Sequence, residues 1–217
     1  MVPQQPTPLI LASASHGRRY LLEKAGYQFT ILPANIDEPT QAKFGSCRQY
    51  VQEIAWRKAA AVAEKFAKNT IENTVQNTAE NISSGFILAA DTVGWLNNQV
   101  IGKPEDENDA RRILSLLSGQ IHELWTGVCL WRCADHFQWQ WQELSKVKMK
   151  SLTSSELDSY LATRQWVGCS GAYAIQEEND PYLQVVSGSL SNVIGLPLES
   201  LSRVFQLISS TSLLSDP

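Results

Sequence analysis

Five consecutive apolar residues, Phe86-Ile87-Leu88-Ala89-Ala90, run directly into Asp91-Thr92. A strand with no polar residue on either side is buried on both faces, so it belongs inside a sheet covered above and below. The cover is legible elsewhere in the chain. From Cys47 to about Lys68 the pattern is helical, with Val51, Ala55, Ala59 and Val62 on one face and Tyr50, Ile54, Lys58, Ala61 and Lys65 on another. The expected fold class is α/β.

The flanking segments read in the same terms. Leu9–Ala12 is a short strand, Ser13–Gly17 a small-residue loop, and a helix begins at Arg18 and is closed by Gly26. Phe29–Leu32 is a second strand, stopped by Pro33. Trp95–Ile101 reads as a hairpin turning at Asn97-Asn98, and Asp106–Leu117 as a helix. Glu123–Arg132 and Phe137–Lys150 form an antiparallel pair with Trp139 and Trp141 on one face. A helix follows, with Thr153 or Ser154 as its N-cap, then a strand near Leu183–Val186 and a C-terminal helix. Residues 69–84 are rich in Asn and Thr and are expected to form an exposed insertion. With 217 residues the chain suffices for one large domain or two small lobes around a cleft.

Composition excludes several classes. Eighteen basic residues against 22 acidic ones leave a net charge of -4, which argues against a nucleic-acid binder but allows a local basic pocket. No apolar run approaches the roughly 20 residues of a membrane span. The first residues carry no basic segment of a signal peptide. The four cysteines form no C-x-x-C pair, and Cys129 and Cys133 share one side of a strand, which suits reduced, partly buried thiols. A cytoplasmic location is the expectation.

Five places could carry chemistry. Ser13, Ser15, Gly17 and Arg18-Arg19 sit at a strand-to-helix junction, where backbone N–H groups and guanidinium groups bind phosphate. An ordinary loop with solvated arginines has the same appearance. Asp91 is expected at the carboxyl end of its strand, where open α/β sheets place ligands. It could ligate Mg2+ or act as general base, or it could simply cap a turn. Lys103 projects from a Gly-Lys-Pro turn as a point charge suited to phosphate, or as a surface lysine. Asp37-Glu38 would complete a hard-cation site if the turn lies near Asp91. Gly171–Gln176 combines close backbone approach with an amide able to read a base edge.

The order and content of these segments resemble the Maf-type nucleoside triphosphate pyrophosphatases. The resemblance rests on Leu11–Ser15 with Arg18-Arg19, on Asp37-Glu38, on Tyr50-Val51 with Lys58-Ala59, on Ala90–Val93 and on Gly102-Lys103-Pro104. It continues through Leu117–Gly119, His122, Thr126–Val128, Gly171–Gln176 and Gly188–Pro197, and so covers roughly Leu9 to Phe205.

The resemblance implies a single domain of two lobes with a central cleft, an elongated mixed sheet flanked by helices, similar to the inosine triphosphate pyrophosphatases. It implies hydrolysis of a nucleoside triphosphate to the monophosphate and pyrophosphate with Mg2+ or Mn2+, in a cytosolic protein that is often a homodimer. By position, Asp91 would activate water, with Lys103 beside it in the reaction. Glu38 and Asp91 would hold the metal, and Ser13, Ser15, Arg18, Lys58 and Lys103 would bind the triphosphate. Thr92 and Gln176 would face the base, and they resemble the branch acting on dTTP and UTP rather than 7-methyl-GTP.

The chain departs from the family pattern at four places. His16-Gly17 stands for the usual Pro-Arg, Gly168-Cys169-Ser170 for Asp-Lys-Ala, Glu177 for a glycine and Leu190 for a tyrosine. Gly17 is expected to open space and bear on specificity, so a shifted nucleotide is one alternative. A non-catalytic nucleotide-binding regulator linked to cell division is another.

Overall fold

The computed structural model describes residues 5–39, 45–72, 85–175 and 180–212, without the side chains of 68–72 and 211–212. A seven-stranded mixed sheet is built from β1 (Leu9–Leu11), β2 (Thr30–Ile31), β3 (Phe86–Leu96), β4 (Gln99–Ile101), β5 (Ile121–Arg132), β6 (Gln138–Met149) and β7 (Leu183–Ser187). The helices are α1 (His16–Lys24), α2 (Cys47–Glu72), α3 (Glu107–Leu117), α4 (Ser154–Ala162), α5 (Leu190–Ile194) and α6 (Leu198–Ser212), with a 3-10 turn at Ser170–Ala172. Strand order is β2-β1-β3-β5-β6-β7, with β4 returning on β3. β1 runs parallel to β2 and β3, and every other pairing is antiparallel.

The period-2 alternation of strands sorts the interior into two layers. Leu9, Leu11, Phe86, Leu88, Ala90, Val128 and Leu130 face α1 and α6, where Leu21, Leu22 and Phe205 meet them. Ile10, Ala12, Ile87, Ala89, Cys129 and Trp131 face α2, through Ala55, Ala59 and Val62. The apolar run at Phe86 is thus covered on both sides, as its composition requires. A further core lies around α3 and α4 and the far ends of β5 and β6, where Leu114, Leu117, Met149 and Leu161 are buried.

The position of Asp91 corrects the sequence expectation. Asp91 does not end its strand: β3 is eleven residues long and continues past Asp91 to Leu96. On one edge β5 pairs with β3 from Phe86 to Trp95. On the other edge β1 covers only Phe86–Leu88 and β4 only Gly94–Leu96. Residues 89–93 therefore have no strand beside them on that edge among the described residues. The polar pair interrupts the apolar pattern because the sheet opens there, while hydrogen bonds to β5 keep the backbone extended.

Local signals account for most element ends. Asp106 caps α3, and Thr153 caps α4 in a reciprocal capping box with Glu156. Asn97 and Asn98 both adopt positive φ in the β3–β4 turn, the conformation that a two-residue hairpin loop requires. Trp139 and Trp141 both lie on the α6 side of the sheet, packed against its core. Cys129 and Cys133 share the α2 side, and all four thiols are free. Helix α2 runs past Lys68 to Glu72, since a few turn-favouring residues at a helix end cost only tenths of a kcal/mol each (about 0.5 per residue). The rest of the expected insertion lies outside the described residues. No helix among them is long and apolar enough to cross a membrane.

Candidate active site

The opening in the sheet gathers charged groups from four segments. β3 brings Asp91 and Thr92, α2 brings Lys58, the turn after β2 brings Glu38, the β1–α1 loop brings Ser13 and the first turn of α1 brings Arg18. Because neighbouring strand residues point to opposite faces, Asp91 and Thr92 serve different clusters.

On the α2 face, the Lys58 ammonium donates to Asp91 Oδ1 at 2.7 Å and pairs with Glu38 Oε1 at 2.7 Å. Asp91 is 6% exposed, and its second oxygen, Oδ2, has no hydrogen-bond partner among the described residues. A buried carboxylate oxygen without a donor costs stability unless a ligand, ion or water completes it. Tyr50 lies on the same side; burial first, then the negative field of Asp91 and Glu38, pushes its phenol up to about 12. Burial likewise pushes the Cys47 thiol up to about 12, with Glu123 and Asp91 adding to it. Both stay protonated and neutral at ordinary pH.

The opposite face carries a buried cation. The Arg18 guanidinium donates from Nε to Gly195 O at 2.8 Å, from Nη1 to Ser13 Oγ at 3.2 Å and from Nη2 to Thr92 Oγ1 at 3.2 Å. All three partners are neutral oxygens. Burial lowers the pKa of Arg18, opposed by Asp91 and then Glu38. A guanidinium has five donors, so among the described residues one N–H on each terminal nitrogen is left for an anion. Gly195 adopts φ 124, a conformation for which side chains are ill suited, and that conformation accompanies the carbonyl turned to Arg18.

Other expected residues are placed differently. Ser15 is the N-cap of α1, where its hydroxyl accepts from Arg18 N, and its own N–H donates to Ser13 Oγ. The expectation that Gly17 opens space is overturned: a Cβ there would lie 3.0 Å from both Ile194 Cγ2 and Ile194 O. The small residue lets α1 close on α5 at Ile194. Thr92 spends its hydroxyl on Arg18, Thr126 and Gly195. Lys103 is exposed, with no ion pair among the described residues. Its loop is fastened by Gly171 N donating to Gly102 O at 2.9 Å and Ser170 Oγ donating to Ile101 O at 3.3 Å. Gln176 and Glu177 lie outside the described residues.

Thr126 and Gly195 belong to the Arg18 cluster although the sequence did not single them out as site residues. Their roles depend on strand register and on a chain reversal 177 residues away from Arg18, neither of which leaves a local signature.

The Maf-like protein family matches residues 8–208, which takes in every element of this site. The chain belongs to that family. Among the relatives of this Maf-like protein, a dTTP/UTP pyrophosphatase of Rhodopirellula baltica is 35% identical over 206 residues, covering 93% of this chain and 82% of that protein. A dTTP/UTP pyrophosphatase of Acetivibrio thermocellus is 36% identical, covering 91% and 94%. One of Clostridium tetani is 31% identical, covering 88% and 93%. The Maf-like resemblance drawn from the sequence motifs is therefore shown over most of the chain.

Proposed function

We propose that this Maf-like protein hydrolyses a nucleoside triphosphate of the dTTP and UTP class to the monophosphate and pyrophosphate, with Mg2+ or Mn2+ as cofactor. The observation that carries the reading is the pairing of Asp91, buried with one oxygen free among the described residues, with Arg18, buried with no carboxylate of those residues against it. The first is a proton acceptor and the second an anion receptor, on opposite faces of one opening. The printed activity of the relatives supports the substrate class.

The donor set fits a hard divalent cation. Glu38 and Asp91 converge on one point of positive charge, now supplied by Lys58, and Asp91 Oδ2 has a vacant lone pair. Among the described residues no group of three candidate ligands comes together. Two carboxylates completed by substrate phosphates and water match the way Mg2+ is commonly held in nucleotide enzymes. When bound there by Glu38 and Asp91, the cation would neutralise charge on the triphosphate oxygens.

The residues of the chain do the rest. Arg18, steadied by Ser13, and Lys58 with Lys103 hold the triphosphate and offset charge that grows on its oxygens. Asp91 Oδ2 accepts a proton from a water whose oxygen attacks the α-phosphorus. The bond from that phosphorus to the α–β bridging oxygen breaks, and pyrophosphate leaves with the bridging oxygen. Lys58 keeps Asp91 oriented through Oδ1. The monophosphate retains the base, with Gln176 as its amide reader.

The test is pyrophosphate release across nucleoside triphosphates with Mg2+ or Mn2+. Preferential turnover of dTTP and UTP, abolished in Asp91→Asn, is the expected result. Neglect of all pyrimidine substrates sinks the substrate class. Absence of release from every triphosphate sinks the enzyme reading and leaves a nucleotide-binding regulator.

A further inference from the structure

Thr126 occupies a position where a hydroxyl is out of place. It lies on β5 directly opposite Thr92, is fully buried, and shares its strand face with the core residues Leu124 and Val128. Valine would fill the same shape in a strand interior and would bury no polar group. The contacts explain the hydroxyl. Thr126 Oγ1 lies 3.0 Å from Thr92 Oγ1 and 3.4 Å from Asn192 O. Asn192 O already accepts Gly195 N at 3.0 Å, so that carbonyl is satisfied without the threonine. What remains for the Thr126 hydroxyl is its link to Thr92.

The protons available leave two arrangements of the link. Thr92 Oγ1 accepts from Arg18 Nη2, and its single proton can go to Thr126 or to Gly195 O. If it goes to Thr126, Thr126 donates onward to Asn192 O. If it goes to Gly195 O, Thr126 donates to Thr92. Either way, the Thr126 hydroxyl holds the Thr92 rotor with a lone pair facing Arg18, and such chains strengthen each member.

We propose that Thr126 is a positioning residue for triphosphate binding, acting through Thr92 to hold the Arg18 guanidinium in its phosphate-receiving geometry. The proposal rests on Arg18 being a phosphate contact in the reaction described above. It makes the Thr92–Thr126 pair part of the anion receptor. Thr126 touches neither substrate nor metal.

Steady-state pyrophosphate release from dTTP is measured for the full chain and for Thr126→Val, Thr126→Ser, Arg18→Ala and the double variant Arg18→Ala/Thr126→Val, each with a thermal melt. Thr126→Val is expected to raise KM about tenfold, the scale of one hydrogen bond that supports a charged group, with kcat changed less than about threefold. Thr126→Ser, which keeps the hydroxyl, stays within about twofold of the parent. In the Arg18→Ala background the valine adds no further increase in KM, because the group it acts through is gone. Thr126→Ala serves as the second hydroxyl-free variant if the valine protein melts early. An unchanged KM in both hydroxyl-free variants overturns the proposal. So does a valine penalty that persists undiminished in the Arg18→Ala background. If Arg18→Ala itself leaves KM unchanged, the phosphate-binding role of Arg18 falls, and the proposal with it.

Discussion

Asp91 and Gly127 stand directly opposite one another on β3 and β5, and the helix that carries Lys58 rests on the glycine. A Cβ on Gly127 would lie 2.3 Å from the carbonyl oxygen of Val51 and 2.7 Å from the backbone nitrogen of Gln52. Backbone cannot yield as a flexible side chain can. The absence of one side chain therefore lets α2 settle low enough on the sheet for Lys58 to reach Asp91 from two turns further along.

Gly127→Ala is the corresponding test. Overpacking against backbone should cost about 1–3 kcal/mol in a urea titration. An ångström of displacement of α2 should lower kcat by about a hundredfold, since it moves Lys58 and reorients Asp91. An alanine variant with parental kcat would show that Lys58 does not orient Asp91.

Asp91→Asn keeps the shape of the side chain and removes the proton acceptor. Pyrophosphate release should fall in kcat by about 100- to 10000-fold, the usual contribution of a positioned base, with KM altered far less. Lys58 retains Glu38 as a partner, so the melting temperature should change little. A kcat within a few fold of the parent would remove Asp91 from the reaction.

Metal removal should separate activity from folding. Dialysis against a chelator is expected to abolish release, and added Mg2+ or Mn2+ to restore it. The melting temperature without nucleotide should stay nearly constant, because Lys58 already pairs with both Glu38 and Asp91 in the metal-free protein. A large fall in melting temperature on chelation would show instead a cation that is structural.

His122 makes acid stability a measurable property of the core. It is 4% exposed on β5, its Nδ1 has no partner among the described residues, and burial depresses its pKa from 6.5 to about 4. Between those values the unfolded chain binds a proton that the folded chain refuses, so unfolding becomes more favourable as pH falls. This contribution is fully present above pH 6.5 and is lost between about pH 6.5 and 4, to an extent of roughly 3 kcal/mol. Urea midpoints of the parent and His122→Leu across that window provide the check. The leucine variant should lose that much less stability on acidification, and parallel curves would refute the assignment.

The residue pattern alone determined much of this protein. The apolar run at Phe86, the helical faces of α2, the paired asparagines at 97 and 98 and the cap at Thr153 are local codes, each set by burial periodicity or by the φ values that one residue type tolerates. Motif order also placed Ser13, Arg18, Glu38, Lys58 and Asp91 in the candidate site. Tertiary structure decided how they are grouped. Asp91 and Thr92 are adjacent in the chain yet serve opposite faces of the sheet, because a strand alternates. Asp91 stands in mid-strand because β5 pairs with β3 on both sides of it, and its other edge is open because β1 ends before it and β4 begins after it. Gly17 was a gap in the sequence and is a contact in the fold, because Ile194 arrives from a segment far along the chain. Thr126 could be linked to Thr92 only once the register of β3 on β5 was known. Local physics specifies elements and residue types, whereas the choice of partner across a sheet or between helices is made by packing over long sequence separations, and the roles of these residues follow from those partners.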